Sequence, residues 1–192
     1  LGIGASTAEQ ARQTIEDTPR LTQAPFNVNV FCHAPSAYDA VRDTAWLHYL
    51  SPLFAEAGIA PPATLNEIYK SFLQDDAVFE MLLQQRPAVV SFHFGLPGSE
   101  HIEALRQAGI YTIASATSLQ EAILIEQAGI DAIVAQGIEA GGHRGMFDPE
   151  ANDGRLSTSV LVRLLVQRTR VPLVAAGGIM HGQGIKAMLA LG

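Results

Sequence analysis

The chain is poor in the residues that would commit it to several large classes of protein. One of its 192 residues is cysteine, Cys32, so no disulfide can form within it. A reducing, cytoplasmic location is the default expectation for such a sequence. Lysine and arginine number 12 against 19 acidic residues, and the formal net charge is -7. The basic residues are scattered, so there is no positive field to draw in nucleic acid or an anionic bilayer. No apolar stretch approaches the roughly 20 residues of a membrane-spanning helix. The six histidines include no His-x-x-x-His pair and there is no cysteine cluster, which leaves no metal site by spacing. Ser91 and Ser115 lack a Gly-x-Ser-x-Gly elbow, which argues against a serine hydrolase.

What remains is a composition ordinary for a globular domain, 48% hydrophobic and 16% charged, in a chain long enough for one sizeable core. Short apolar runs at residues 1–5, 26–31, 88–94, 111–116, 132–136 and 172–176 alternate with amphipathic stretches. Runs that are apolar nearly throughout read as parallel strands buried on both faces. Ser118-Leu-Gln-Glu121 has the capping-box spacing, and Ser99 is placed to cap the preceding helix. Ala57-Gly58-Ile59, Ala108-Gly109-Ile110 and Ala128-Gly129-Ile130 each read as a helix stop, because only glycine takes the left-handed conformation there without cost. The last two lead straight into strands, a weak repeat of about 20 residues that means parallel β/α architecture. Residues 60–86 lack strand character and read as a helical insertion.

The chain begins on Leu1-Gly2-Ile3-Gly4 and ends on Leu189-Ala190-Leu191-Gly192. Both ends are apolar where termini are usually polar, so a piece of a longer protein is expected. The pattern does not separate a closed barrel from an open doubly wound sheet. In either, function gathers at the carboxyl ends of the strands.

Polar residues in those places stand out, because a polar side chain in an apolar strand is costly unless it is paired or used. Asn29 lies inside a strand, while His93, Ser115 and Gln136 lie at strand ends. Gly177-Gly178 follows the last strand and precedes a helix expected near Gly182. Bare backbone amides beside a helix N-terminus suit a phosphate, although a tight turn also needs small residues. Gln136-Gly-Ile-Glu-Ala-Gly-Gly-His-Arg-Gly145 carries four glycines in ten residues, so a planar ligand can approach its backbone. His143 is the residue of this loop suited to exchange a proton near neutral pH. Arg144 and Glu139 read as solvent-facing neighbours. His33 and His181 are candidates for a pocket mouth, and His48 and His101 for surface or packing positions on helices.

Three segments carry a family resemblance. Val89-Val-Ser-Phe-His-Phe-Gly-Leu-Pro97, Asp131-Ala-Ile-Val-Ala-Gln-Gly-Ile-Glu-Ala-Gly-Gly-His-Arg-Gly145 and Val171-Pro-Leu-Val-Ala-Ala-Gly-Gly-Ile179 resemble the nitronate monooxygenase (2-nitropropane dioxygenase) family. The middle segment is the most specific, and the likeness covers essentially the whole chain. It implies a flavoprotein with a (β/α)8 TIM barrel, residues 1–192 forming a partial FMN-binding domain that lacks the first and eighth strands. It implies an oxidoreductase that uses oxygen to convert a nitronate or nitroalkane into a carbonyl compound and nitrite. His143 matches the catalytic histidine. FMN contacts map to Asn29, Ser115, Gln136, Gly141, Gly142, Gly177 and Gly178, and His93 maps to the substrate side. An FMN-dependent enoyl-thioester reductase shares the Glu-Ala-Gly-Gly-His loop and is the rival reading, beside a catalytically silent fragment.

Overall fold

A computed structural model describes residues 1–35 and 37–192. Five strands form one parallel sheet: β1 (Asn27–Phe31), β2 (Val89–His93), β3 (Tyr111–Ala116), β4 (Ala132–Gln136) and β5 (Leu173–Ala176). Their spatial order is their order in the chain. A doubly wound sheet reverses order at a switch point; this one never reverses among its five strands.

The helices are α1 (Ala8–Asp17), α2 (Ala40–Glu56), α3 (Asp76–Gln85), α4 (Ser99–Gln107), α5 (Leu119–Gln127), α6 (Thr158–Val166) and α7 (Gly182–Ala190). None among the described residues is long and apolar enough to cross a membrane.

Of the six runs read as strands, residues 1–5 form only an isolated parallel bridge, Gly2 to Asn29. Asn29 N donates to Leu1 O at 2.7 Å, and Ile3 N donates to Asn29 O at 3.2 Å. A turn closed by Ser6 N on Ile3 O then ends the run. The reason is local. Thr7 and Gln10 form a reciprocal capping box, which starts α1 and draws the chain off the sheet edge after three residues.

The expectation that both strand faces are buried also needs correction. Val28, Val30, Val90, Phe92, Ala114, Ala116, Ile133 and Ala135 are sealed off from solvent. They share a core with Met81, Leu82, Leu105, Ile125, Leu161 and Leu165 of the helices, each such large side chain contributing about 1.5–3 kcal/mol by burial. The alternate residues form the other face, aligned across the register as Asn29 with Ser91 and Ser115 with Val134. That face is only partly covered: Tyr111 is 42% and Val174 47% exposed.

All three glycine helix stops adopt positive φ, with Gly58 at 66°, Gly109 at 79° and Gly129 at 78°. Ser118 caps α5 by accepting from Glu121 N, but the Glu121 carboxylate does not complete a box. It accepts from Thr117 N and Thr117 Oγ instead, and from Phe147 N at 2.9 Å. Gly98, not Ser99, occupies the N-cap of α4. Within residues 60–86 helix is confined to a 3-10 turn at Phe72–Gln74 and to α3. α3 buries Val78, Met81 and Leu82, whereas α2 buries nothing.

Candidate active site

The polar side chains that seemed misplaced in the sequence meet at the carboxyl ends of β2, β3 and β4. Gln136, the last residue of β4, closes the glycine-rich loop onto the sheet. Its Nε2 donates to His143 O at 3.0 Å, and its Oε1 accepts from Gly145 N at 2.7 Å. Arg144 Nη1 donates to the main-chain oxygen of Gln136 at 2.6 Å. The clip uses both ends of one amide side chain, so it fixes the loop's register as well as its distance from the strand.

His93 ends β2 beside it. Its Nε2 lies 3.4 Å from the same His143 oxygen and its Nδ1 3.0 Å from Ser115 Oγ. Half-buried, the ring is pushed below the ordinary histidine pKa chiefly by desolvation, against which the His143 carbonyl works. A side chain at Gly145 would strike it, since a Cβ there falls 2.6 Å from His93 Cε1.

Arg144 is half-buried, not the solvent-facing residue expected, while Glu139 is exposed as expected but has its carboxylate engaged. Arg144 forms a two-pronged pair with Asp153, Nε to Oδ2 and Nη2 to Oδ1 both at 2.9 Å, which holds the Asp153 carboxyl below its usual range. Bidentate geometry is the strong form of this contact. Glu139 Oε2 accepts from Thr158 N at 2.8 Å and Thr158 Oγ at 2.9 Å at the start of α6. Both charges fold back because the loop must return from β4 to α6, and these are its fastenings at either end.

The exposed His143 ring borders a cavity of about 480 Å³ lined chiefly by Phe31, Tyr69, Phe94, Met146 and Phe147, with His33, Arg144 and Pro149. Phe94 and Phe31 meet the His143 ring edge-on, with centroids 5.7 Å and 6.2 Å away. Sequence reading missed these apolar walls. The doublet His93-Phe94 gave a hint, but nothing in it signalled that Phe94 takes φ 69°, an outlier for a bulky residue. His33 lines the cavity as one of the two mouth candidates. The other, His181, caps α7 by accepting from Gly184 N. His93 lies beneath the cavity, against Phe94 at 4.3 Å, and is not among its lining residues.

The glycines fall in two adjacent strips. Gly177 and Gly178 have φ of 123° and 68°, and the loop of residues 139–140 packs so closely that a Cβ on Gly177 would lie 2.8 Å from Ala140 N. Gly141 and Gly142 have open space where side chains would be. Asn29 is set deeper, its Nδ2 donating to Ser91 Oγ at 2.8 Å.

With the site in place, comparison with known proteins is decisive. The family model for nitronate monooxygenase matches residues 1–192. The chain belongs to that family. It is 57% identical to the nitronate monooxygenase of Paraburkholderia phytofirmans, covering 100% of this chain and 52% of that protein. The corresponding figures for the Pseudomonas aeruginosa nitronate monooxygenase are 54% identity, 100% and 55%. Among solved structures, the nitroalkane oxidase of Streptomyces ansochromogenes superposes with a TM-score of 0.89 at 36% identity, covering 100% of this chain and 54% of that one. The chain thus spans about half the length of these relatives.

Proposed function

We propose that this chain carries the catalytic side of an FMN-dependent nitronate monooxygenase. It would oxidise alkyl nitronates or nitroalkanes with oxygen to a carbonyl compound and nitrite. The observation that supports this most is the placement of His143. A proton-exchanging ring borders an apolar cavity while its own peptide is fastened to two strand ends. An apolar cavity takes the alkyl part of such a substrate, and a fastened base keeps its lone pair over one carbon. The sequential strand order and the half-covered sheet face support a (β/α)8 barrel. The remaining strands, the first and eighth among them, would come from the half of the family's length that this chain does not span.

The residues present fit FMN. Gly141 and Gly142 leave bare backbone with open space where side chains would stand, and Gly177 and Gly178 form a turn at positive φ before the N-terminus of α7. These four would hold the phosphate and ring edge, with Asn29, Ser115 and Gln136 beneath. Gln136 retains one amide hydrogen and one oxygen lone pair beyond its clip, so binding a cofactor need not undo the loop. When bound, FMN supplies the electron acceptor that oxygen regenerates. The chain's own task is to seat the substrate against Phe31, Phe94 and Phe147, and to take the α-proton of a neutral nitroalkane on the His143 ring.

Oxygen uptake by flavin-loaded protein tests this with a nitroalkane and with its pre-formed nitronate. His143→Ala should leave flavin absorbance near the wild-type level and lower turnover of the neutral nitroalkane by about 10²–10⁴-fold. Turnover of the pre-formed nitronate should fall much less, because no proton need be removed. Equal loss on both substrates removes the general-base role. Consumption of reduced nicotinamide with an enoyl thioester, without nitronate oxidation, removes the reading altogether.

A further inference from the structure

We propose that His93 is a positioning residue, which holds the main chain of His143 through its Nε2–H and is itself oriented by the Ser115 hydroxyl. The inference rests on the reading of His143 as the base, and it gives three strand-end side chains a task in addition to any cofactor contact.

The hydrogen-bond logic leaves one arrangement. The partner of His93 Nε2 is a carbonyl oxygen, His143 O, and a carbonyl only accepts. The proton of a neutral His93 ring therefore sits on Nε2. Its Nδ1 then carries a lone pair, and the group 3.0 Å away, Ser115 Oγ, must donate to it. Desolvation of the half-buried ring favours this neutral form. The His143 oxygen receives a second donor, Gln136 Nε2 at 3.0 Å. Two side chains from two strands thus converge on one carbonyl, and its two lone pairs are both taken. The ring has little room to turn: Phe94 stands edge-on at 4.3 Å, and the strip on the far side is tolerated only because residue 145 is glycine.

Position in the fold argues for an indirect role. His93 is not among the residues lining the cavity, whereas His143 is. Its polar nitrogens are both spent within the protein, on Ser115 and on the His143 carbonyl. A contact of this kind acts on where the His143 ring points. Errors of about 1 Å in such placement cost on the order of 10²-fold in rate.

The test begins without turnover. Nitrogen-15 spectra of the histidine rings should show His93 as the neutral Nε2–H tautomer at pH 7, and Ser115→Ala should shift it to a mixture of tautomers. The carbonyl carbon resonance of His143 should move in His93→Leu and return in His93→Gln, whose amide can donate from a similar distance. In flavin-loaded protein His93→Leu should lower kcat for the neutral nitroalkane by about 10-fold or more, with KM changed much less. His93→Gln should restore most of the loss. An Nδ1–H tautomer, a ring charged at pH 7, or an unmoved His143 carbonyl overturns the proposal. So does a rise in KM at constant kcat in His93→Leu, which marks a substrate contact. Thermal melts of both variants tell a fold defect from a positional one. If wild-type protein oxidises neither substrate while the tautomer and carbonyl shifts follow the pattern above, the proposed activity falls and the positioning contact stands.

Discussion

Gly145→Ala is the sharpest test of how tightly the glycine-rich loop is seated. Gly145 is buried and is not among the residues with positive φ, so its backbone accepts alanine. The obstacle is the neighbour. An alanine Cβ would lie 2.6 Å from His93 Cε1 and 3.0 Å from Nδ1, against about 3.5–4.0 Å for carbon atoms at their optimum separation. The ring must retreat by roughly 1 Å, yet it is held at both nitrogens and backed by Phe94. Overpacking of this kind costs about 1–3 kcal/mol, and losing the bond to the His143 carbonyl adds about 1 kcal/mol. Replacing glycine returns about 0.4–1 kcal/mol through the unfolded chain. A net loss of about 1–3.5 kcal/mol follows, and for a chain of this size each kcal/mol lowers Tm by about 2–4 °C. Thermal unfolding followed by circular dichroism reads it. The decisive arm is the double variant: with His93→Ala the space opens, and Gly145→Ala should become neutral or slightly stabilising. Equal destabilisation in both backgrounds would refute the reasoning, because the clash with His93 is then not its source.

The fastenings of the same loop give three more expectations. Desolvation lowers the His93 pKa from the usual 6.5, so its contribution to stability is complete above about pH 6.5 and is lost as pH falls through the lower folded value. Urea midpoints at pH 7.5 and 5.5 should differ less in His93→Gln than in wild type. Arg144 lowers the Asp153 pKa from its usual 3.8, so that contribution is present above about pH 3.8 and disappears below it; Asp153→Asn should flatten the stability profile in that acidic window. Thr158→Val removes the hydroxyl that bonds Glu139 Oε2 and Gly177 O, both at 2.9 Å, in a buried position. It should cost about 1–3 kcal/mol in denaturant melts, and an unchanged melt would show that this cluster does not hold the two glycine strips together.

The strands and helix stops were legible because each rests on a short-range rule. Apolar runs bounded by turns returned five strands within a residue or so of their observed limits, and the three Ala-Gly-Ile stops all show the positive φ that motivates them. Residues 1–5 failed because the capping pair Thr7 and Gln10 outweighs β propensity two residues earlier. The alternation of sealed and half-covered faces was hidden for a different reason. Small or aliphatic residues such as Ala132, Val134, Val174 and Ala176 stand on the open face, so periodicity in composition does not follow periodicity in burial. His143 stands out in the sequence by its glycines, and its ring borders the cavity. Tyr69, Phe94 and Met146 do not stand out, because what joins them is the meeting of separate loops around one space, and no spacing in the chain encodes that.

The two ends of the sheet use polar residues in different ways, and the contrast explains why strand-end polarity was the informative signal. At the amino ends of β3 and β4, Asp131 Oδ2 accepts from Thr112 N and Thr112 Oγ, both at 2.8 Å. That knot joins neighbouring strands at the end of the sheet opposite the cavity that His143 borders. At the carboxyl ends, His93, oriented by Ser115, and Gln136 reach beyond their strands to the loop that carries His143. Each bond there fixes a segment with little side-chain packing of its own, since Gly141 and Gly142 have only open space where side chains would stand. A glycine-rich loop gives a flat ligand access to its backbone but loses the side chains that would hold it still. Charge-assisted and amide contacts from the strand ends, with Arg144 on Asp153, replace that lost packing. The same glycines that open the loop's backbone therefore make the polar strand ends necessary, and a sequence that had one without the other would not place His143 in a fixed position.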